Sequence, residues 1–172
     1  MNNTAALEAT VELSSATAAA RPVVRPCTVS EVMCAPEWEE ILAEYVAEAS
    51  IKGMPPPNAK IETYRKIEST GNLHSFMALE GNRLVGFIYV LAPVLPHYGI
   101  PVAVCESFFV ASKSRKGGAG LRLLRAAEDK ANELGSPGLV VSAPFGGRLC
   151  DLLPRCGYVE TNRVFFKKSV YL

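Results

Sequence analysis

Histidine is scarce in this 172-residue chain, which carries only His74 and His97, and none of its five cysteines (Cys27, Cys34, Cys105, Cys150, Cys156) forms a Cys-x-x-Cys pair. That removes the ordinary material of a zinc site, and the odd cysteine count argues against a disulfide framework. We expect no metal, and five reduced, mostly buried cysteines in a cytoplasmic protein. An excess of charge is also lacking. With 18 Lys and Arg against 17 Asp and Glu, the net charge of +1 gives no global field to draw in nucleic acid or an anionic membrane. No apolar run reaches the 18 residues of a membrane-spanning helix. Residues 1–20 lack the basic start and apolar stretch of a signal peptide. They are expected to be a flexible tail, with docking on the body or on a partner as the alternative.

What remains is ordinary globular material. With 49% hydrophobic and 20% charged residues, residues 21–172 are long enough for one packed domain and too short for two ordinary ones. Residues 22–29 suit a first strand, followed by Ser30 and Glu31 as turn material. Trp38, Ile41, Leu42, Tyr45, Val46 and Ala49 fall on one helical stripe, ending near Ser50. The prolines of 53–58 break it, and Asn58 is expected to cap a second helix, with Ile61, Tyr64 and Ile67 on its apolar side and Gly71 at its end. Residues 73–79 and 83–91 read as a hairpin around Gly81. After a loop over 93–101, the apolar run 102–110, broken only by Glu106, reads as a buried central strand. An amphipathic helix over 121–134, a short buried strand over 138–142, a short helix over 148–156 and a last strand over 163–168 complete a mixed α/β layered fold, in the order β-α-α-β-β-β-α-β-α-β.

The stretch from Arg115 to Gly120 joins the central strand to the amphipathic helix, with Gly117, Gly118 and Gly120 around Ala119. A glycine turn at a helix start exposes amide hydrogens that no intrahelical carbonyl can take, and the helix dipole adds positive character; such a turn binds phosphate. Arg115 and Lys116 add cations beside it, and with Lys113 and Lys130 form a basic cluster that the phosphates of one cofactor explain better than nucleic acid does. The spacing fits neither a Walker loop nor the dinucleotide fingerprint, which needs a small residue where Leu123 stands. A turn that merely starts a helix is the plainer alternative.

The run Glu106-Ser-Phe-Phe-Val-Ala-Ser-Lys-Ser-Arg-Lys-Gly-Gly-Ala-Gly120 resembles the acetyl-CoA signature of the GNAT N-acetyltransferase superfamily, in which a buried strand ending in Val is followed by Arg/Gln-x-x-Gly-x-Gly/Ala. Val110, Arg115, Gly118 and Gly120 fill that pattern. The resemblance extends over about 21–168, through Arg25, Pro26 and Thr28 in the first strand and the Cys156, Gly157, Tyr158 turn. It implies a three-layer fold with a central, mostly antiparallel sheet and helices on both faces. It also implies acetyl-CoA as co-substrate, its diphosphate on the amides of Lys116, Gly117, Gly118, Ala119, Gly120 and Leu121, and its pantetheine arm along Phe108, Phe109 and Val110. A family-typical bulge would splay this strand from the 138–142 strand, but the sequence does not reveal one.

The activity implied is transfer of acetyl from acetyl-CoA to a primary amine of a small molecule or protein, by direct attack in a ternary complex. Glu106 is the expected base, since a carboxylate buried in an apolar strand tends to hold a proton; pairing with Arg83 or Arg163, or exposure to solvent, is the alternative. The Val110 amide or a neighbour would donate to the oxyanion. The family's usual tyrosine acid falls at Leu153 and its usual Asn at Gly146, so Tyr158 is taken as the acid, with Cys156 and Ser142 as substitutes. Loss of these polar groups also permits a catalytically weak acyl-CoA sensor or protein-interaction module. His97, Tyr98, Trp38, Tyr45 and residues 55–57 could line an acceptor pocket, although ordinary loop and core roles suit them as well. A homodimer is left open.

Overall fold

The computed structural model describes residues 21–169, so the tail expected over 1–20 lies outside the described residues. A five-stranded sheet has the order β1 (Val23–Cys27), β2 (Leu73–Glu80), β3 (Arg83–Leu91), β6 (Ala103–Val110), β7 (Leu139–Val141). The first four strands run antiparallel to their neighbours, and β7 is parallel to β6. One face carries α1 (Val29–Met33), α2 (Trp38–Ala49) and α3 (Ile61–Ser69); the other carries α4 (Ala119–Glu133), with α5 (Arg148–Leu152) and a 3-10 turn (Leu153–Cys156) after β7.

Each face has its own core. Leu123, Leu124, Ala127 and Ala131 of α4 pack on Phe76, Val85, Ile88 and Val110, while Val29, Val32, Trp38 and Ile41 pack on Met77, Leu84, Phe87 and Phe109. The period of 3.6 in the helices and of 2 in the strands places these residues inward, as the sequence pattern requires. The glycines expected to end elements do so: Gly71, Gly81 and Gly135 have φ of +72, +61 and +71.

Several expectations are corrected. Ser30 and Glu31 lie in a helix, α1, started by a capping box in which Glu31 N donates to Thr28 Oγ1 (3.2 Å) and Thr28 N donates to Glu31 Oε2 (2.8 Å). Asn58 does not cap α3, whose N-cap is Lys60 without a side-chain bond. The 93–101 loop contains a small hairpin of β4 (Val94–Leu95) and β5 (Ile100–Pro101). The 139–141 strand is an edge, with Val140 exposed, rather than buried. Residues 163–168 form no strand; the exposed run of Val164, Phe165 and Phe166 finds no strand partner, and strand propensity without one does not make a strand. Of the cysteines, which form no disulfide, only Cys105 is buried and Cys34 is exposed. Burial pushes the Cys27 and Cys105 thiols up to about 12, which makes both poor nucleophiles at neutral pH.

Candidate active site

The site begins at an irregularity in β6. Tyr89 pairs with Ser107 and Val90 with Cys105, leaving Glu106 as one extra residue opposite β3. This bulge reverses the inward and outward alternation. Ala103 and Cys105 face α4, but beyond Glu106 it is Phe108 and Val110 that face α4, while Phe109 packs in the α1–α3 core and Ser107 meets Tyr45. Pairing with β7 covers only Ala103, Val104 and Cys105. From Ser107 to Val110, β6 is paired with β3 alone, and from Glu106 onward its β7 edge is open. Gly86 permits the close approach on the closed side, since a Cβ there would lie 2.6 Å from Phe109 O.

At the end of β6 the chain turns through a 3-10 segment (Ser112–Gly117) into α4. Gly118 is the N-cap of α4 at φ +82, a conformation that disfavours any residue with a Cβ. Arg122 N donates to Gly118 O (3.2 Å), the first i to i−4 bond of α4, so the amides of Ala119, Gly120 and Leu121 lie in its first turn, ahead of its intrahelical ladder. Gly118 and Gly120 are partly open and Leu121 is exposed, so packing does not seal this corner. Phe108 lies beneath, its Cζ 3.4 Å from where a Gly120 Cβ would sit.

One stripe of α2 holds the turn in place. Glu44 Oε2 accepts from Ser112 N (2.8 Å), Glu40 pairs with Lys113 (2.8 Å), and Glu48 pairs with Arg115 (2.6 Å). Arg115 also donates to Val110 O (2.9 Å) and lies over the Phe109 ring. Its guanidinium, 17% exposed, thus ties the turn to β6 and α2. From β2, Glu80 accepts from Ser114 Oγ (2.9 Å). Because Lys130 pairs with Glu133, the expected basic cluster is largely neutralised, and Lys116 alone of its four members has no ion pair among the described residues.

On the α1–α3 side a cavity of about 460 Å³ opens beside the bulge. Glu106 and Ser107 form one wall; Trp38, Tyr45, Tyr64, Phe87 and Tyr89 supply aromatic surface. Tyr64 OH donates to Glu106 Oε1 (2.9 Å), and Tyr45 OH lies 3.2 Å from Ser107 Oγ. Burial, joined by the Glu106 charge, raises both tyrosine hydroxyls above their usual value, so both remain protonated. Glu106 is exposed to the cavity rather than buried in an apolar strand, and its partner is neither Arg83, which pairs with Glu37, nor Arg163, which pairs with Glu160.

A model of the acetyltransferase (GNAT) family matches residues 37–158, which is most of the chain. The chain belongs to the GNAT acetyltransferase family. No curated protein sequence matches it. Among solved structures, it is similar to a ribosomal-protein-alanine N-acetyltransferase from Brucella melitensis biovar Abortus 2308, at 16% identity and TM-score 0.64, covering 86% of this chain and 98% of that one. It is also similar to an aminoglycoside acetyltransferase from an uncultured soil metagenomic sample, at 18% identity and TM-score 0.65, covering 87% and 97%. A third is glucosamine-6-phosphate N-acetyltransferase from Arabidopsis thaliana, at 14% identity and TM-score 0.64, covering 85% and 97%. At these identities the likeness shows a shared GNAT fold; membership of the family makes the chain an acyltransferase, and the family's co-substrate is acetyl-CoA.

Within this GNAT frame, the structure brings Phe108, Phe109, Val110 and the 115–121 turn to one corner, with Glu106 on the cavity side of the same strand. It does not bring Tyr158 there. The Tyr158 hydroxyl donates to Glu128 of α4 (2.6 Å) in a separate hollow with Leu139 and Cys156, and burial and that carboxylate hold its proton firmly. Leu153 is buried core. His97 and Tyr98 sit exposed at the tip of the small hairpin, away from the cavity, whereas Trp38, Tyr45 and Pro57 do line it. Sequence reasoning missed Tyr64 and Ser107 as site residues. The sequence places Tyr64 on an apolar helical face, and Ser107 changes face only because of the bulge. The 40/44/48 glutamate stripe was legible as spacing of four, but its partners lie about seventy residues away.

Proposed function

We propose that this GNAT protein is an N-acetyltransferase that carries acetyl from acetyl-CoA to a primary amine of a small molecule or protein, by direct attack in a ternary complex. The observation that carries this reading is the run of first-turn amides from Gly118 to Leu121, ahead of the intrahelical bonds of α4, beside the open edge of β6. Those amides, at the positive end of α4, suit a diphosphate, and the exposed Lys116 adds an uncommitted charge. The Lys116 and Gly117 backbone continues the same cradle, while Arg115 keeps it attached to α2 and β6. The open half of β6, at Phe108, Phe109 and Val110, suits an extended amide-bearing arm that pairs as an added strand.

Acetyl-CoA supplies the acetyl group as a thioester, whose thiolate is a fair leaving group. Glu106, at the bulge between cavity and cleft, takes the proton of the incoming amine, and Tyr64 holds its carboxylate in position. A backbone amide at or near Val110 supplies the oxyanion donor. Tyr158 has its hydroxyl on Glu128 and is assigned to ordering the final turn rather than to protonating the thiolate. The second reading, a weak or inactive acyl-CoA sensor, is favoured by one observation: the family's acid position is the buried Leu153.

Thermal melting with acetyl-CoA tests the binding half. Saturation at a hundredfold excess over Kd should raise stability by about 2.7 kcal/mol. Thiol release against a panel of amines tests the chemistry: stabilisation with release supports the enzyme, stabilisation with no release supports the sensor, and no stabilisation rejects both.

A further inference from the structure

The cavity beside Glu106 has walls that are mostly aromatic and apolar, with few charges, and that character selects an acceptor. We propose that the acceptor is a small monoamine whose nitrogen is carried on an aromatic or extended apolar body, with the nitrogen at Glu106 and the body against the rings. This rests on the acetyltransferase reading and narrows it.

The aromatic surface is continuous. Ring centroids lie 5.5 Å apart for Trp38 and Phe87, 4.9 Å for Phe87 and Tyr89, and 5.5 Å for Tyr64 and Tyr89. The polar tips of Tyr64 and Tyr45 are already taken by Glu106 and Ser107, so their rings are what a ligand meets. Leu42 and Ile67 extend the apolar wall. Rings of this kind attract both an apolar body and the ammonium from which the nucleophile must be made.

The charge inventory is short. Glu106 is the one carboxylate and Lys60 the one cation lining the cavity among the described residues. Of the other carboxylates on this side, Glu40, Glu44 and Glu48 are committed to the glycine turn, Glu31 to Arg25, Glu37 to Arg83, Glu62 to Arg65 and Glu68 to the Val29 amide, while Glu39 is exposed on α2 and does not line the cavity. A polyamine or a polycationic sugar would leave its further ammonium groups against rings with no counter-charge, which is costly. A phosphorylated amino sugar would find only Lys60. A volume of about 460 Å³ is that of a small-molecule site.

The test is thiol release by the full chain with acetyl-CoA, comparing 2-phenylethylamine and hexylamine with spermidine, glucosamine 6-phosphate and a lysine peptide. The expected kcat/KM for 2-phenylethylamine exceeds that for spermidine by about a hundredfold, the discrimination an apolar pocket can supply. A second arm uses Thr63→Glu, which adds a carboxylate at an exposed wall position. It should cut that preference about tenfold while stabilisation by acetyl-CoA stays as in the parent. Equal or better turnover of spermidine, the sugar phosphate or the peptide overturns the acceptor class alone, as does a preference unmoved by Thr63→Glu. Stabilisation by acetyl-CoA with no turnover of any amine also overturns it. Failure of acetyl-CoA to stabilise the protein removes the acetyltransferase reading itself, and the acceptor class with it.

Discussion

The two halves of β6 are made of similar residues and do different things. Val104 and Cys105 are paired on both edges, with β3 and β7, and Ala103 with β7, and this half serves as ordinary core. The second half begins with a bulge at Glu106 that exchanges the faces of the strand, is paired with β3 alone from Ser107 to Val110, and ends in a turn held by three glutamates of α2. The first half stabilises. The second gives up backbone pairing to leave an open edge, with a carboxylate at its start and the first-turn amides of α4 beyond its end. The difference shows that the split between β6 and β7 begins where the one extra residue sits, at Glu106, and where the three-residue β7 ends.

The largest expected effect comes from closing the gap on the bonded side. Gly86→Ala puts a Cβ against Phe109 O and should cost about 3 kcal/mol by denaturant unfolding, as overpacking does. Loss below about 1 kcal/mol would mean that β3 does not brace the open half. Next, Glu106→Gln should lower kcat about a hundredfold, within the ordinary range for a general base, while acetyl-CoA stabilises the variant as it does the parent. An unchanged kcat removes Glu106 from the chemistry. Gly118→Ala strains the +82 turn and should weaken acetyl-CoA binding about tenfold in calorimetry, for about 1 kcal/mol of stability; unaltered affinity would leave the turn merely structural. The smallest effect belongs to the bonded half, where His74 pairs with Val90 in the sheet. Burial lowers its affinity for a proton below the usual 6.5, helped by Lys130. Stability from the neutral ring is therefore complete above 6.5 and is lost as pH falls below it. His74→Gln should lose less Tm than the parent between about pH 7.5 and about pH 5.5; an equal loss assigns the acid sensitivity to other groups.

The sequence made the bonded half plain and the open half only partly so. The apolar run 102–110 announced a central strand, and three glycines beside Val110 announced the turn, because both signals are local. The bulge was invisible, since pairing two residues against one is decided between strands. The exposure of Glu106 is equally invisible, because the cavity it faces is made by packing of α2 and α3 against the sheet and not by the run 102–110. The capping box from Thr28 to Glu31 was readable and passed over. Arg115 carried the expected motif, yet its side chain is occupied by Glu48 and Val110 O, long-range partners that spacing cannot reveal.

Residue-resolved hydrogen exchange with and without coenzyme A tests the central claim most directly. The amides of Gly118, Ala119, Gly120 and Leu121, together with those on the open edge of β6 beyond Glu106, should gain protection when coenzyme A is added, while Ala103 to Cys105 exchange as before. Protection confined to other parts of the chain, with the Gly118 turn and the open edge exchanging unchanged, would contradict it.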